Sequence, residues 1–410
     1  MRVALLHYSC PPVVGGVESV LAIHARLLAH HGHAVKILTG RGGSLGAGIE
    51  VKILRLLGSR HPRVLAVAGE LDRGVVSAHF RALREEIADG LRAHLDAADV
   101  AMVHNVLTMH KNLPFTAALH MLISEGKKMV AWTHDLAWAN PQYADRFSSG
   151  YPWSLLRAPL SVEYVAISEA VRAQMATLIG LSAESISVIP HGIDPADFNA
   201  WTAATQSLIR SIDLLGQDCV LISPVRITRR KNLEMAIRVV AALKARGWRL
   251  RLLITGPPGP HNPENAQYLE DLRDLGRALH VEADVVFVRD LVSRCSSRVV
   301  GDLYTLSDAV FLTSTLEGYG LPVQEAALFR LPVFCTDIPA FREVGGARVH
   351  YFRPGDAPEH VAARIAQILE DDRAYVFRRH VRQSLTWDRI YDRHIAPLLC
   401  RVAGEVPAMG

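Results

Sequence analysis

Short apolar runs recur along the chain, and stretches with a 3.6-residue apolar period lie between them. Runs at 2–7, 34–39, 51–54, 99–104, 128–133 and 162–167, with a shorter one at 186–189, predict strands. After Gly15–Gly16 the apolar positions Val17, Val20, Leu21, His24, Leu27 and Leu28 follow helical spacing. Strands that are apolar on both faces, alternating with helices, predict a doubly wound parallel sheet. The rhythm stops over 190–215, where PHGIDPADFNA is turn-rich and a polar stretch without strand period follows. It resumes with strand candidates at 219–223, 250–255, 284–288, 308–312, 332–335 and 347–351, and with helical patterns at 231–246 and 265–280. The expectation is an α/β protein of two Rossmann-like domains, 1–200 and 201–385. The 360–398 region reads as mostly helical, and the last segment, 386–410, is expected to pack back on the first domain.

The bulk numbers fit this division. A chain of 410 residues exceeds the usual single core, and 50% hydrophobic residues suffice for two. Lys+Arg 45 against Asp+Glu 41 leaves +4, with no long basic tract, which argues against a dedicated nucleic-acid binder. The densest basic cluster, Arg378, Arg379, His380 and Arg382, reads as a solvated helix face. Cysteines stand singly at 10, 219, 295, 335 and 400, so the chain suits a reducing cytosol. Cys219 and Cys335 read as small buried hydrophobes. The start, MRVALLHYS, is too short for a signal peptide and reads as a first strand. No run reaches the ~18 apolar residues of a membrane span.

Candidate chemistry gathers where strands give way to helices. Glu317 and Glu325 flank EGYGLPVQEAALF after the strand candidate DAVFLTS. A helix N-terminus between two acids suits a polyhydroxyl anion, with carboxylates taking hydroxyl hydrogens and amides taking oxygens. In RITRRKNLEMAI, Arg226, Arg229, Arg230 and Lys231 all offer positive charge for a diphosphate, and composition does not choose among them. His134 and Asp135 follow the strand KMVAWT; the histidine serves as a hydrogen-bond donor to a ligand or satisfies its own loop, and the aspartate as a base or a cap. Gly15 and Gly16 permit close approach of a ligand, but their spacing is not that of a dinucleotide fingerprint. The Gly/Pro loop 254–265 leaves room for a nucleobase against backbone, and Pro190, His191 and Gly192 serve as hinge or cleft lining. His30, His31 and His33 end a helical run and lack partners spaced for a metal site. Trp132, Trp138 and Trp153 border an acceptor pocket or pack a core.

Taken together, these segments resemble the retaining GT4-type nucleotide-sugar glycosyltransferases with GT-B architecture, two Rossmann-like domains facing across a cleft. The resemblance runs over nearly the whole chain and is strongest from 219 to 345. It rests on EGYGLPVQEA and SPVRITRRKN, with THD at 133–135, HGID at 191–194 and GG at 15–16 in the expected order. Tyr319 stands where phenylalanine is commoner in the family. The resemblance implies that Gly16 approaches donor phosphates or acceptor, and that His134 contacts the transferred sugar. It implies that Arg226 and Lys231 bind the diphosphate. Glu317 would orient sugar hydroxyls, with backbone at Tyr319, Gly320 and Leu321, and Glu325 would hold the ribose. Catalysis would need no metal, with magnesium at most stimulatory.

The implied partners are a nucleotide-sugar donor, GDP-mannose or UDP-glucose, and a small polar or saccharide acceptor. The acceptor would be shaped by HNVLTMHKN at 104–112 and by the loop from Trp138 to Trp153. His110 and Lys111 would suit an anionic acceptor. Nucleic acid is not expected, and the lack of a basic amphipathic helix disfavours a lipid acceptor while leaving peripheral membrane contact open. A cytoplasmic location is expected. A nucleotide-sugar epimerase and a non-catalytic sugar-binding module are the competing readings.

Overall fold

Two parallel sheets organise the protein in a computed structural model that describes residues 1–144, 147, 149–260, 262–292 and 295–404. The chain divides into two compact units, one of Met1–Gly192 with the segment from Trp387 onward, the other of Ile193–Thr386. Unit 1 carries β1 (Arg2–His7), β2 (Ala34–Thr39), β3 (Ile49–Ile53), β4 (Val100–His104), β5 (Met129–Thr133), β6 (Glu163–Ala166) and β7 (Ile186–Val188). Their order is β3-β2-β1-β4-β5-β6-β7. Unit 2 carries β8 (Cys219–Ser223), β9 (Leu250–Ile254), β10 (Val285–Phe287), β11 (Ala309–Leu312), β12 (Val333–Thr336) and β13 (His350–Phe352), in the order β10-β9-β8-β11-β12-β13.

The central strands are apolar on both faces because helices cover both sides. Every residue of β4, β5, β8 and β11 is buried. Edge strand β3, covered less, keeps Glu50 and Lys52. Register is set between like apolar positions, such as Val3 against Val35 and Val100, and Val310 against Ile222 and Val333. Both sheets therefore present all their C-terminal strand ends on one edge. In each, the strand order reverses beside the first strand, at β1/β4 and at β8/β11, where open α/β sheets place ligands.

Two expectations change. The polar stretch within 190–215 is helical at Pro195–Asn199 and Ala203–Ser211. The caps decide it: Asp194 accepts from the Ala196 amide at 2.8 Å, and Thr202 from the Thr205 amide at 3.2 Å. Buried Asp302 then fastens the second helix, accepting from the Thr202 amide at 2.9 Å and the Thr205 hydroxyl at 2.8 Å. The basic cluster near 380 is not a solvated face. Arg382 is 5% exposed, and its guanidinium donates to both Asp308 oxygens at 3.1 Å and to the Gln217 carbonyl at 3.0 Å. Arg378 donates to the Ser307 carbonyl at 2.8 Å. A long-range acid, Asp308, draws the cations inward, and spacing along the helix Arg373–Ser384 carries no sign of it.

The chain crosses between units at Gly192–Ile193 and at Thr386–Trp387. Within unit 2, Ile193 donates to the Leu385 carbonyl at 2.8 Å. Within unit 1, a Cβ on Gly192 would lie 2.7 Å from the Trp387 ring, so only glycine fits against it. The returning segment is tied to unit 1 by Lys128, which donates to the Ala403 carbonyl at 2.7 Å, and by the His31 ring stacked on Tyr391. Among the described residues no helix is long and apolar enough to cross a membrane.

Arg382→Leu removes the nearer of the two guanidinium groups that pair with an acid of no exposed side-chain surface, leaving Arg378 at 3.7 Å. Asp308 keeps the Val220 amide at 2.8 Å, so the loss of stability is expected near the low end for a broken buried pair, about 3 kcal/mol. Urea unfolding followed by fluorescence checks this, and a loss below about 1 kcal/mol would show that the pair contributes little.

Candidate active site

The second unit's site grows from the β8/β11 switch point. Because β8 and β11 are neighbours in register, the loops that leave them, 224–232 and 313–320, emerge side by side. Backbone and hydroxyl bonds staple the loops: the Thr315 amide donates to the Arg230 carbonyl at 2.8 Å, and the Thr313 hydroxyl to the Lys231 carbonyl at 2.8 Å. Across them Lys231 forms an ion pair with Glu317 Oε1, both side chains only 10% exposed. The Ser314 hydroxyl donates to the same Oε1 at 2.7 Å, and Arg230 Nη1 approaches Oε2 at 3.3 Å. The structure thus joins Glu317 and Lys231, which sequence reasoning placed on different parts of a ligand. It also adds Arg230 and Ser314 to the cluster. Arg229 is spent elsewhere, on Asp271 at 3.2 Å and over the Tyr268 ring. Arg226 is an exposed guanidinium without a partner among the described residues.

Gly320 begins the helix Leu321–Leu328 with φ at 109°, a conformation that side-chain-bearing residues rarely adopt. Tyr319 and Leu321 flank it as exposed side chains, Tyr319 Oη accepting from Gln324 at 2.9 Å. Glu325 lies further along that helix, where Tyr304 Oη donates to its Oε2 at 2.6 Å. Burial first and this carboxylate second push the Tyr304 phenol well above its ordinary pKa. In the loop 254–265, Gly256 makes room for the protein's own chain: a Cβ there would lie 2.3 Å from the Val225 carbonyl oxygen. His261 of that loop lies outside the described residues.

In unit 1 the C-terminal strand ends bring together histidines that sequence reasoning treated singly or missed. His7 ends β1 and His104 ends β4, while His134 follows β5 and His191 follows β7. His7 Nδ1 donates to the His104 carbonyl at 2.8 Å, and His104 Nδ1 shares a hydrogen with His134 Nε2 at 3.1 Å. Asn105, in left-handed backbone at φ 60°, holds the THD turn: its Oδ1 accepts from the His134 and Asp135 amides at 2.7 and 3.0 Å. Its Nδ2 donates to Asp135 Oδ2 at 3.0 Å. Burial pushes His134 down to about 3, with His191 and His7 adding to it, so its ring is neutral at neutral pH. A neutral imidazole with Nε2 engaged leaves Nδ1 for a ligand. His7 and Ser9 face Glu18, whose carboxyl is held at about 2, by His7 first. Gly16 opens the helix Gly16–His30, and a Cβ there would meet nothing within 4 Å, so its backbone stands open.

Most of the proposed acceptor loop is structural. His104, Asn105, Thr108 and Asn112 are buried, and Asn112 caps the Phe115 amide at 3.1 Å while donating to the Leu56 carbonyl at 2.9 Å. His110 and Lys111 do line a pocket of about 560 Å³, together with Phe147 and Trp153. Trp132 is not a pocket residue: it is 1% exposed, with the rings of His24 and His104 against it. Trp138 packs on Phe147 and beneath the Arg157 guanidinium. Residues 145, 146 and 148 of the 138–153 loop lie outside the described residues. His31 and His33 both engage Tyr391.

Two family models match, one on each unit: Glycosyltransferase Family 4 over residues 14–197 and Glycosyl transferases group 1 over residues 206–383. The chain belongs to the GT4-type glycosyltransferases. Its two parallel-sheet α/β units are those of the GT-B fold. This glycosyltransferase is 24% identical over 282 residues to the mannosylglucosylglycerate synthase of Petrotoga mobilis, covering 63% of the chain and 64% of that protein. It is 27% identical over 220 residues to the D-inositol 3-phosphate glycosyltransferase of Kineococcus radiotolerans, covering 50% and 49%. Over 97 residues it is 40% identical to the Escherichia coli serotype-specific mannosyltransferase WbdA, covering 22% of the chain and 11% of that protein. The chain spans less than two thirds of the length of each of these relatives.

His24 yields a test of the histidine cluster. It is fully buried among His104, Trp132 and Trp387, and neither ring nitrogen has a hydrogen-bond partner among the described residues. Burial pushes it down to about 3, with His134 and His191 adding to it. An unfolded histidine takes its proton near pH 6.5, so the unfolded state binds more protons between about 6.5 and 3 and stability falls as pH falls through that window. His24→Leu should remove up to about 1.4 kcal/mol per pH unit of this slope. Denaturant titrations from pH 4 to 6 measure it, and parallel lines for variant and wild type would refute the buried neutral state.

Proposed function

We propose that the protein transfers a hexose from a nucleotide sugar to a hydroxyl of a small polar or saccharide acceptor, with retention at the anomeric carbon. The observation that carries this reading is the Lys231–Glu317 pair with Arg230 on the same carboxylate, on the loop that also carries Arg226, at the switch point of the second sheet. A diphosphate needs fixed positive charge, and this edge supplies it on loops already stapled together. Lys231 and Arg226 take the diphosphate oxygens. Glu317, held by Lys231 and Ser314, keeps lone pairs for sugar hydroxyls, and Glu325 keeps one oxygen free of Tyr304 for the ribose. The N-terminus of the helix Leu321–Leu328, entered through Tyr319 and Gly320, supports binding of the sugar or phosphate through its first amides. In unit 1, neutral His134 offers Nδ1 to the transferred sugar, and Gly16 offers open backbone.

The bond from the anomeric carbon to the phosphate oxygen breaks while the acceptor oxygen bonds to the same face. The acceptor proton passes to the departing phosphate oxygen, so no protein base is required. The cations offset the charge that grows on the leaving group. Since arginine and lysine provide that charge, magnesium is not needed for the step. GDP-mannose and UDP-glucose are the leading donors, with mannose favoured by the mannosyl relatives.

Arg226→Ala and Lys231→Ala should each lower turnover roughly 30- to 1000-fold, about 2–4 kcal/mol of transition-state stabilisation. Arg226 has no partner among the described residues, so its variant keeps the wild-type melting temperature, whereas Lys231→Ala also lowers it by leaving Glu317 short of counter-charge. Wild-type turnover in both variants would remove the diphosphate role.

A donor-by-acceptor screen read by product mass, with NMR of the new linkage, tests the reaction itself. The expected product is α-hexosyl from an α-linked donor, formed equally in EDTA. A β product would refute retention, and magnesium-reversible loss in EDTA would refute metal independence. Free nucleotide with an epimerised sugar and no acceptor dependence would favour the epimerase reading.

A further inference from the structure

Where β1, β2 and β3 end, their loops enclose a pocket of about 790 Å³, within the usual range for small-molecule sites. The loops are closely locked. Gly40 presses on Gly58, where a Cβ would meet the Gly58 nitrogen at 1.9 Å, and the Cys10 amide donates to the Arg41 carbonyl at 2.8 Å. Arg41, Arg55, Arg60 and Lys111 line the space, all exposed. None of the four side chains forms an ion pair or hydrogen bond with any described residue. Several other cations of this unit are paired, as Arg2 with Asp99, Arg63 with Glu86 and Arg92 with Glu125, and what sets these four apart is that they share one concave surface. The lining's acid, Glu18, is already engaged by Ser9 and faces His7.

Four unpaired cations on one concave surface repel one another and focus a positive field. Their side chains are hydrogen-bond donors only, whereas a neutral polyol needs acceptors as well. We propose that this pocket receives the acceptor of the transfer reaction and that the acceptor carries a phosphate monoester or a carboxylate beside the hydroxyl that is glycosylated. The inference rests on the transferase reading. Guanidinium forks match both anions in two-point geometry. The pocket also adjoins the β1 loop through Ser9, Val13 and Val14, at the sheet edge where ligands bind.

The test has a binding arm and a transfer arm, both on the full chain. Calorimetry uses inorganic phosphate, glycerol 3-phosphate, glycerate and glycerol as probes. Wild type should bind the anions and not glycerol. The double variant Arg41→Gln/Arg60→Gln should weaken anion binding on the order of tenfold or more. Arg26→Gln, exposed on the helix Gly16–His30 and outside the pocket, should change nothing. In the transfer arm, matched neutral, phosphorylated and carboxylated acceptors are compared by product mass, and the double variant should raise KM for the anionic ones. Preference for phosphate or carboxylate identifies the group. Unaltered anion binding in the double variant, or equal use of neutral and anionic acceptors, overturns the proposal. Nucleoside diphosphate binding is measured on the same preparations. Loss of that binding with a normal anion response would instead count against the transferase reading.

Discussion

The ion pair between Lys231 and Glu317 is the constraint on which the second unit's site depends. Two charges that are each nine-tenths hidden lose most of their hydration, and only close pairing with further hydrogen bonds offsets that loss. Ser314 and Arg230 provide those bonds, and Thr313 and Thr315 hold the backbones that carry the pair. Two loops from neighbouring strands are thereby fixed before any ligand arrives. A positive charge and a carboxylate are thus presented as one rigid group, which on the proposed reading leaves little reorganisation for the chemical step.

Unit 1 solves a different problem. Its strand ends bring the neutral rings of His104 and His134 together, both buried. Neutral histidines cost far less to bury than a lysine or a carboxylate. His134 is held on one side by His104 and beneath by Asn105, so its free nitrogen has a defined direction. The second unit's switch point offers fixed charge, and the His104–His134 pair of the first offers fixed hydrogen bonding.

The strands were legible because parallel sheets covered on both faces leave continuous apolar runs such as VAMVH, CVLIS and AVFL. The short helices at 195–211 were not, because their ends are set by caps and by Asp302, a residue about a hundred positions away. Arg378 and Arg382 misled for the same reason, since Asp308 lies outside any local window. Family resemblance located the glutamates and basic residues, but their joining spans 86 positions and appears only when β8 lies beside β11. Ser314, three residues before Glu317, was the nearest signal in the sequence for that joining. Asn105 had a weaker one, a small polar residue directly after a strand, where left-handed backbone is tolerated. Gly256 shows the opposite error: a glycine read as space for a base is occupied by Val225.

Unit 1 is assembled from two separated stretches, while Ile193–Thr386 is continuous. On the ribosome, the second unit's sequence is complete before Trp387 is made. The Trp387 ring, which abuts His24 and requires glycine at position 192, is thus made only after the whole of the second unit. A nascent chain would hold the His24 pocket without its lid while the later unit folds. The segment from Trp387 thus completes a core that includes His24, a residue more than three hundred positions earlier in the chain.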